Sequence, residues 1–154
     1  METTTINSPV GPLKLKLDEG FLVKLDFSPR AQVSNCQLPA PLRDVCEQLE
    51  GYFNDPAWEF DVKMKNTGTS YQNKVWRALQ RIKPGNLVTY GALARKINSA
   101  ARAIGGACRS NPVPIIVPCH RVVAASSSGG FCGKTSGPAM DIKHWLLEHE
   151  AVVA

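Results

Sequence analysis

Gly68-Thr69-Ser70-Tyr71-Gln72-Asn73-Lys74-Val75-Trp76-Arg77-Ala78-Leu79-Gln80-Arg81-Ile82 is where the chain changes its hydrophobic period. Thr69 and Gln72 have the spacing of a capping box, and Val75, Trp76, Leu79 and Ile82 recur at helical intervals. Upstream the period is two. Leu13, Leu15 and Leu17 alternate with Lys14 and Lys16, and Phe21, Val23, Leu25 and Phe27 alternate with Leu22, Lys24 and Asp26. Pro9-Val10-Gly11-Pro12 and Asp18-Glu19-Gly20 supply the turns. The pattern predicts an antiparallel meander over residues 2–27 with one buried face. After a proline-containing loop at 29–40, Leu42, Val45, Cys46, Leu49, Tyr52 and Phe53 predict a helix covering that face, ended by Asp55-Pro56. Residues 57–68 read as an edge strand and a linker. The expected class is α+β, with a small sheet-and-helix unit over residues 1–65 and a mainly helical one over 66–154.

Downstream, Pro84-Gly85 closes the helix that Thr69 opens. Thr89 caps a short helix through Ile97, and Ser99 caps another from about Ala100 to Arg109. Two short helices joined by a tight turn form a helix-turn-helix pattern. Asn111-Pro112-Val113-Pro114 must leave the helix, because proline removes donors and fixes φ. The apolar Ile115-Ile116-Val117 then leads into Pro118-Cys119-His120-Arg121-Val122. Residues 124–137 are rich in Ser and Gly and read as a loop. A last helix starts near Pro138 and places Ile142, Trp145, Leu146 and His149 on one face.

Composition bounds the function classes. At 154 residues, 44% hydrophobic and 20% charged, the chain is an ordinary globular protein. Its net charge of +5 fits a polyanionic partner without identifying one. The N-terminus is polar, and no run approaches the roughly 18 apolar residues of a membrane span. Cys36, Cys46, Cys108, Cys119 and Cys132 make an odd set without a CxxC, so free thiols in a reducing compartment are expected.

Cys119 stands between a rigid proline and an imidazole. A thiol is nucleophilic as the thiolate, and a nearby base promotes that form. Adjacent side chains diverge, so His120 would take the proton through a water. It would then need an orienting carboxylate, for which Glu150 is a candidate. The alternative is a buried structural cysteine beside a structural histidine. A zinc site from Cys108, Cys119, His120 and Cys132 is a weaker reading, because metal-ligand spacings are absent. The segment Ala100–Arg109 has one face of Ala and Gly with a single long cation, Arg102, near its start. Such a face suits either a DNA minor groove or close packing between helices.

Pro118-Cys119-His120-Arg121-Val122 resembles the active-site motif of the 6-O-alkylguanine-DNA alkyltransferases. So do Ser8–Leu13, Tyr52-Phe53, Phe60-Asp61-Val62, Gly68–Gln72 with Val75-Trp76, Tyr90-Gly91, Ala101–Gly105, Ser110-Asn111-Pro112 and Trp145–Glu150, in family order along nearly the whole chain. The resemblance implies a ribonuclease-H-like N-terminal half and a helix-turn-helix in the C-terminal half. It implies a single-turnover transfer of alkyl from guanine to Cys119, with no cofactor; the extra metal site of some relatives is not expected, because the N-terminal half has only Cys36 and Cys46 and no histidine. His120 would be the base through water, Glu150 its polarising partner, and Asn111 the brace between recognition helix and active-site strand. Tyr90 would touch the target base and help rotate its phosphate. Arg102 would fill the space of the flipped nucleotide, with Ala101, Ala103, Gly105 and Arg109 also facing DNA. Carbonyls of Cys119 and Val122 would read the guanine amine. Phe131, Cys108, Cys132 and Ser136 would complete the pocket, with Ser136 or the Cys132 amide on the base oxygen. The implied partner is double-stranded DNA carrying alkylated guanine, met by a monomer in the cytoplasm or, in a eukaryote, the nucleus. The 131–138 loop departs from the family's double glycine and is longer, and the 93–100 stretch is shorter. Two rivals remain: a lesion-binding module that does no chemistry, against which Cys119 argues, and a turnover cysteine hydrolase.

Overall fold

The computed structural model describes residues 1–33, 38–65, 67–127, 129–151 and 153; Cys36 lies outside them. They form an α+β protein with a three-stranded antiparallel sheet and five α-helices. The chain divides into two compact units, Met1–Thr67 and Gly68–Ala154.

In the first unit, β1 (Glu2–Ile6), β2 (Leu13–Asp18) and β3 (Phe21–Phe27) pair in chain order. Leu13, Leu15 and Leu17 are fully buried, as the alternation in β2 requires. β3 departs from its simple alternation. Leu25 faces Leu15 and Lys24 faces Lys16, but Leu22 faces Leu17, so Val23 is an extra residue in a β-bulge. The bulge reverses the sides: Leu22 is 1% exposed and Phe21 38%. Helix α1 (Ala40–Asn54) buries Leu42, Val45, Leu49 and Tyr52 and packs on β1 and β2. Each buried leucine contributes about 1.5–3 kcal/mol, and three short strands need such a cover to be stable. Among the described residues of 57–68 the expected edge strand does not form. The Gln48 side chain takes both backbone groups of Asp61, each at 2.8 Å. Met64 meets β3 in an isolated parallel bridge with Leu22.

In the second unit, α2 (Ser70–Gln80) opens on the capping box, with Thr69 and Gln72 bonded reciprocally at 3.1 and 2.9 Å. Gly68 has φ +82°, and a Cβ there would stand 2.7 Å from the Trp76 ring. Val75, Trp76, Leu79 and Ile82 are all buried. Trp76 Nε1 donates to the Ala107 carbonyl at 2.9 Å, tying α2 to α4 (Ala101–Arg109). Helix α3 (Tyr90–Lys96) is capped by Thr89, as expected. Ser99 does not cap α4. Ala100 holds that position, and Ser99 Oγ pairs instead with the Tyr71 hydroxyl at 2.6 Å.

The run before Cys119 is a buried turn rather than a strand. Ile115 has φ +74°, and Val117 N–H donates to the Val113 carbonyl at 3.0 Å. Cys119–Arg121 forms one 3-10 turn, followed by β5 (Val122–Val123), which pairs in parallel with β4 (Val88–Thr89). The pairing seats Tyr90, the first residue of α3, next to the cysteine segment. Helix α5 (Pro138–Ala151) buries Met140, Lys143, Leu146 and Glu150. Of the expected inward face only Leu146 is buried; Trp145 and His149 stack on each other, ring centres 4.8 Å apart, on its flank. Among the described residues no helix is long and apolar enough to cross a membrane.

Candidate active site

A cavity of about 620 Å³ opens between α4, the N-terminus of α3 and the 130–135 loop. Cys119 lies in its wall and is 5% exposed. Proline at 118 and the turn over 113–117 deliver it there, and Asn111 fixes that turn. Its amide donates to the Val117 carbonyl at 2.8 Å, and its oxygen accepts from Val113 N–H at 3.0 Å. Burial pushes the Cys119 thiol up from its ordinary value, while a hydrogen bond from Asn111 and the charge of Lys143 oppose the rise. The resting thiol is therefore protonated at neutral pH, and its use as a nucleophile requires a base.

His120 follows Cys119 in the same 3-10 turn and is fully buried, with Nε2 2.7 Å from Glu150 Oε2. Burial raises the Glu150 carboxyl, but hydrogen bonds and charge from His120 and Arg121 outweigh it and hold Glu150 well below the usual carboxylate range. Glu150 is ionised, so the hydrogen on this contact belongs to His120 Nε2. Burial keeps the imidazole neutral, lowering its pKa against the pull of Glu150. A neutral ring protonated at Nε2 has an acceptor at Nδ1, which is buried and has no protein partner among the described residues. The pair thus presents a proton acceptor beside Cys119.

Two buried cations complete the arrangement, and neither was singled out from the sequence. Arg121 donates from Nε to Glu150 Oε1 at 2.7 Å and from a terminal nitrogen to Oε2 at 3.0 Å, and it also reaches the Ile82 carbonyl. Lys143 donates to the carbonyls of Val122 and Gly130 at 2.9 and 2.8 Å. Burial lowers its pKa, and the neighbouring Cys119 and Cys108 raise it. Lys143 stood in the sequence as an ordinary polar position of the last helix, and its burial follows from the rotated face of α5.

Of the residues expected at the site, Tyr90, Ala101, Arg102, Gly105, Cys108, Arg109, Cys119, Phe131 and Cys132 line the cavity. Ala103 is exposed on α4 outside it. Val122 is buried behind the wall, and its carbonyl already accepts from Lys143. Ser136 is exposed and does not line the cavity, whereas Thr135 does. The cause is local: Cys132 and Gly133 take φ +51° and +77°, and Phe131 and Lys134 pair across them. Burial and Cys119 push the Cys108 thiol up to about 12. Tyr90 is raised by burial and by both thiols, and a Cβ on Gly129 would stand 2.9 Å from its ring. On α4, Ile104 and Ala107 are buried. A Cβ at Gly105 or Gly106 would meet nothing within 4 Å, so these glycines are not there for internal packing. Among the described residues no three His, Cys, Asp or Glu gather as a metal site.

A family model described as 6-O-methylguanine DNA methyltransferase, DNA binding domain, matches residues 70–152. The methylated-DNA–protein-cysteine methyltransferase of Methanosarcina acetivorans is 40% identical over 153 residues, covering 93% of this chain and 94% of that protein. The crystal structure of the Mycobacterium tuberculosis O6-methylguanine methyltransferase superposes with TM-score 0.82 at 37% identity, over 99% of this chain and 94% of that one. A structure of Mycobacterium tuberculosis OGT in complex with DNA superposes with TM-score 0.81 at 36% identity, over 100% and 95%.

Proposed function

The chain belongs to the 6-O-methylguanine-DNA methyltransferase family, and from that premise we propose that it repairs DNA by taking an alkyl group from the 6-oxygen of guanine onto Cys119. The observation that carries this reading is the placement of Cys119 in a cavity wall with a neutral His120 next to it in the same turn, held by an ionised Glu150. A water between the thiol and His120 Nδ1 takes the proton to the imidazole. Glu150 stabilises the imidazolium that results, and Arg121 keeps Glu150 ionised and aimed. Lys143 favours the thiolate by its charge. The sulfur attacks the alkyl carbon, the S–C bond forms, and the C–O bond breaks with its electron pair on guanine. The proton returns from His120 to the departing base. The product is a thioether, which no group in the site displaces, so one protein repairs one lesion.

A stacked base cannot present its alkyl carbon to a sulfur in this wall, so the nucleotide must flip. In this reading α3 and α4 are a helix-turn-helix. Ala101, Ala103 and the open glycine face approach the duplex, Arg102 fills the vacated stack, and Arg109 contacts phosphate. Tyr90 meets the base and helps turn its phosphate, and Phe131 and Cys108 bound the pocket. The Cys119 carbonyl and the remaining lone pair of Val122 read the guanine amine. The base oxygen falls to the Cys132 amide rather than to Ser136. Asn111 braces the turn that holds Cys119. Residues 1–65 are a ribonuclease-H-like structural domain and 66–154 the DNA-binding and acceptor domain. The protein acts as a monomer on double-stranded DNA carrying alkylated guanine, in the cytoplasm or nucleus.

Intact mass after incubation with a duplex holding one 6-O-methylguanine tests the reading. A transferase gains one methyl and stops. No gain with tight lesion binding would make the protein a sensor, and continued product release without a mass change would make it a hydrolase.

A further inference from the structure

On the second unit, a notch of about 380 Å³ lies between α2 and the end of α3, apart from the Cys119 cavity. Its lining includes Lys74, Arg77 and Arg81 from α2, and Lys96 and Asn98 from the α3 end. All four cations are exposed, and among the described residues none of them has an ion-pair partner. Lys74, Arg77 and Arg81 share one helical face over about 10 Å of axis. Like charges at these spacings destabilise a helix, so the arrangement costs stability in the free protein.

Helix dipoles do not account for it. A cation at a helix C-terminus gains about 0.3–1 kcal/mol, which suits Arg81 and Lys96. Lys74 sits in the first half of α2, where a positive charge gains nothing from the dipole. Nor is the charge diffuse over the chain. Gly68–Ala154 holds eleven Lys and Arg against three Asp and Glu, whereas Met1–Thr67 holds seven against ten. No Asp or Glu occurs from Val62 to Met140. Four cations around one notch, with Asn98, Ala78 and Ile97 between them, fit a row of phosphates.

We infer that this notch is a second phosphate-binding surface, which holds the backbone of the same duplex to one side of the lesion. The inference rests on the DNA-repair reading above and adds a surface to it. Distance supports the same duplex. Asn98 in the notch and Arg102 in the cavity are four residues apart, at most about 14 Å of chain. DNA presents one phosphate charge per roughly 1.7 Å of helix axis, so a duplex seated at Arg102 has phosphates within reach of the notch.

The test compares the wild type with the quadruple variant Lys74→Gln, Arg77→Gln, Arg81→Gln, Lys96→Gln. A control variant removes four exposed cations from the first unit: Lys14→Gln, Arg30→Gln, Arg43→Gln, Lys63→Gln. Affinity for a 30-base-pair duplex is measured against salt, and transfer from free 6-O-benzylguanine is followed in parallel. Each lost phosphate contact lowers the slope of log K on log salt by about 0.9. The notch variant should lose up to about 3.6 in slope and at least tenfold in affinity at low salt, with free-base transfer within twofold of wild type. The control should keep its slope. An unchanged slope in the notch variant overturns the inference, and so does an equal loss in the control, which would make the effect one of net charge. If the quadruple notch variant also fails on the free base, Lys74→Gln and Lys96→Gln are measured singly: each should keep free-base transfer and lose about 0.9 in slope, and an unchanged slope in both overturns the inference. Failure of the wild type to react with either substrate would sink the repair reading instead.

Discussion

Replacing Glu150 by glutamine tests the buried relay. The carboxylate accepts from His120 at 2.7 Å and from Arg121 at 2.7 and 3.0 Å, and it is 2% exposed. The amide keeps the shape and removes the charge. Arg121 then stays buried without its counter-charge, an arrangement that costs about 3–5 kcal/mol. Against a typical total of about 5–15 kcal/mol, that is readily seen in urea unfolding. The transfer rate should fall as well, because the imidazolium formed in the reaction loses a charged acceptor. A hydrogen bond to a charged group is worth about 1.5–3 kcal/mol, or about 10- to 150-fold in rate. The pH dependence has a definite sign. His120 and Glu150 both have folded pKa values below their unfolded ones, ordinarily 6.5 and 4.5. Each therefore contributes stability that is present above its unfolded pKa and is lost as pH falls. Wild-type stability should begin to decline below about pH 6.5 and fall more steeply below about 4.5. In Glu150→Gln the steeper limb should be missing. The assays are urea unfolding at pH 7 and pH 4, and single-turnover transfer. A variant as stable as wild type at pH 7 with an unchanged rate would refute the relay and leave Glu150 a helix-end carboxylate.

Lys143→Met removes the buried charge beside Cys119; the pH midpoint of single-turnover transfer should rise by about one unit, equivalent to about 1.4 kcal/mol on the thiolate, and an unmoved midpoint would deny Lys143 that role. Arg102→Ala should slow repair of duplex substrate at least tenfold more than transfer from free 6-O-benzylguanine, since only the duplex needs an extrahelical base, at a few kcal/mol; equal losses would place Arg102 in the pocket. Gly106→Ala should leave stability unchanged or raise it by about 0.5–1 kcal/mol, because a Cβ there meets nothing within 4 Å. Gly106→Leu should weaken duplex binding without slowing the free-base reaction, and undiminished binding would show that α4 does not face DNA.

The long periodic elements were legible in the sequence, and the reasons are physical. Leu13, Leu15 and Leu17 on β2 and the Thr69–Gln72 box on α2 are local patterns that tertiary context did not override. Phe21 and Leu22 take the sides opposite to the simple alternation because one inserted residue, Val23, puts the start of β3 out of phase with Leu25, and a bulge leaves no mark in an alternating string. β4 and β5 are two residues each, too short to show a period, yet their pairing brings Tyr90 toward Cys119. At the site, adjacency suggested Cys119 and His120, and the resemblance supplied Glu150. Arg121 and Lys143 were invisible, because cations are ordinarily solvated and nothing local announces that these two are buried. The sequence does carry one signal for the basic surface: no Asp or Glu occurs from Val62 to Met140, which concentrates the basic charge on the unit that holds the cavity. Spacing alone predicts a cap at Ser99, but a tertiary partner, the Tyr71 hydroxyl, pairs with its side chain instead.

The central claim is that Cys119 itself accepts the alkyl group. Peptide mapping of the wild-type protein after reaction with a duplex carrying 6-O-benzylguanine tests this directly. Cys108 and Cys132 line the same cavity and serve as internal controls. One benzyl group per protein is expected, on the peptide that contains Cys119, and none after Cys119→Ser. A benzyl group on Cys132 or Cys108 in the wild type would contradict it.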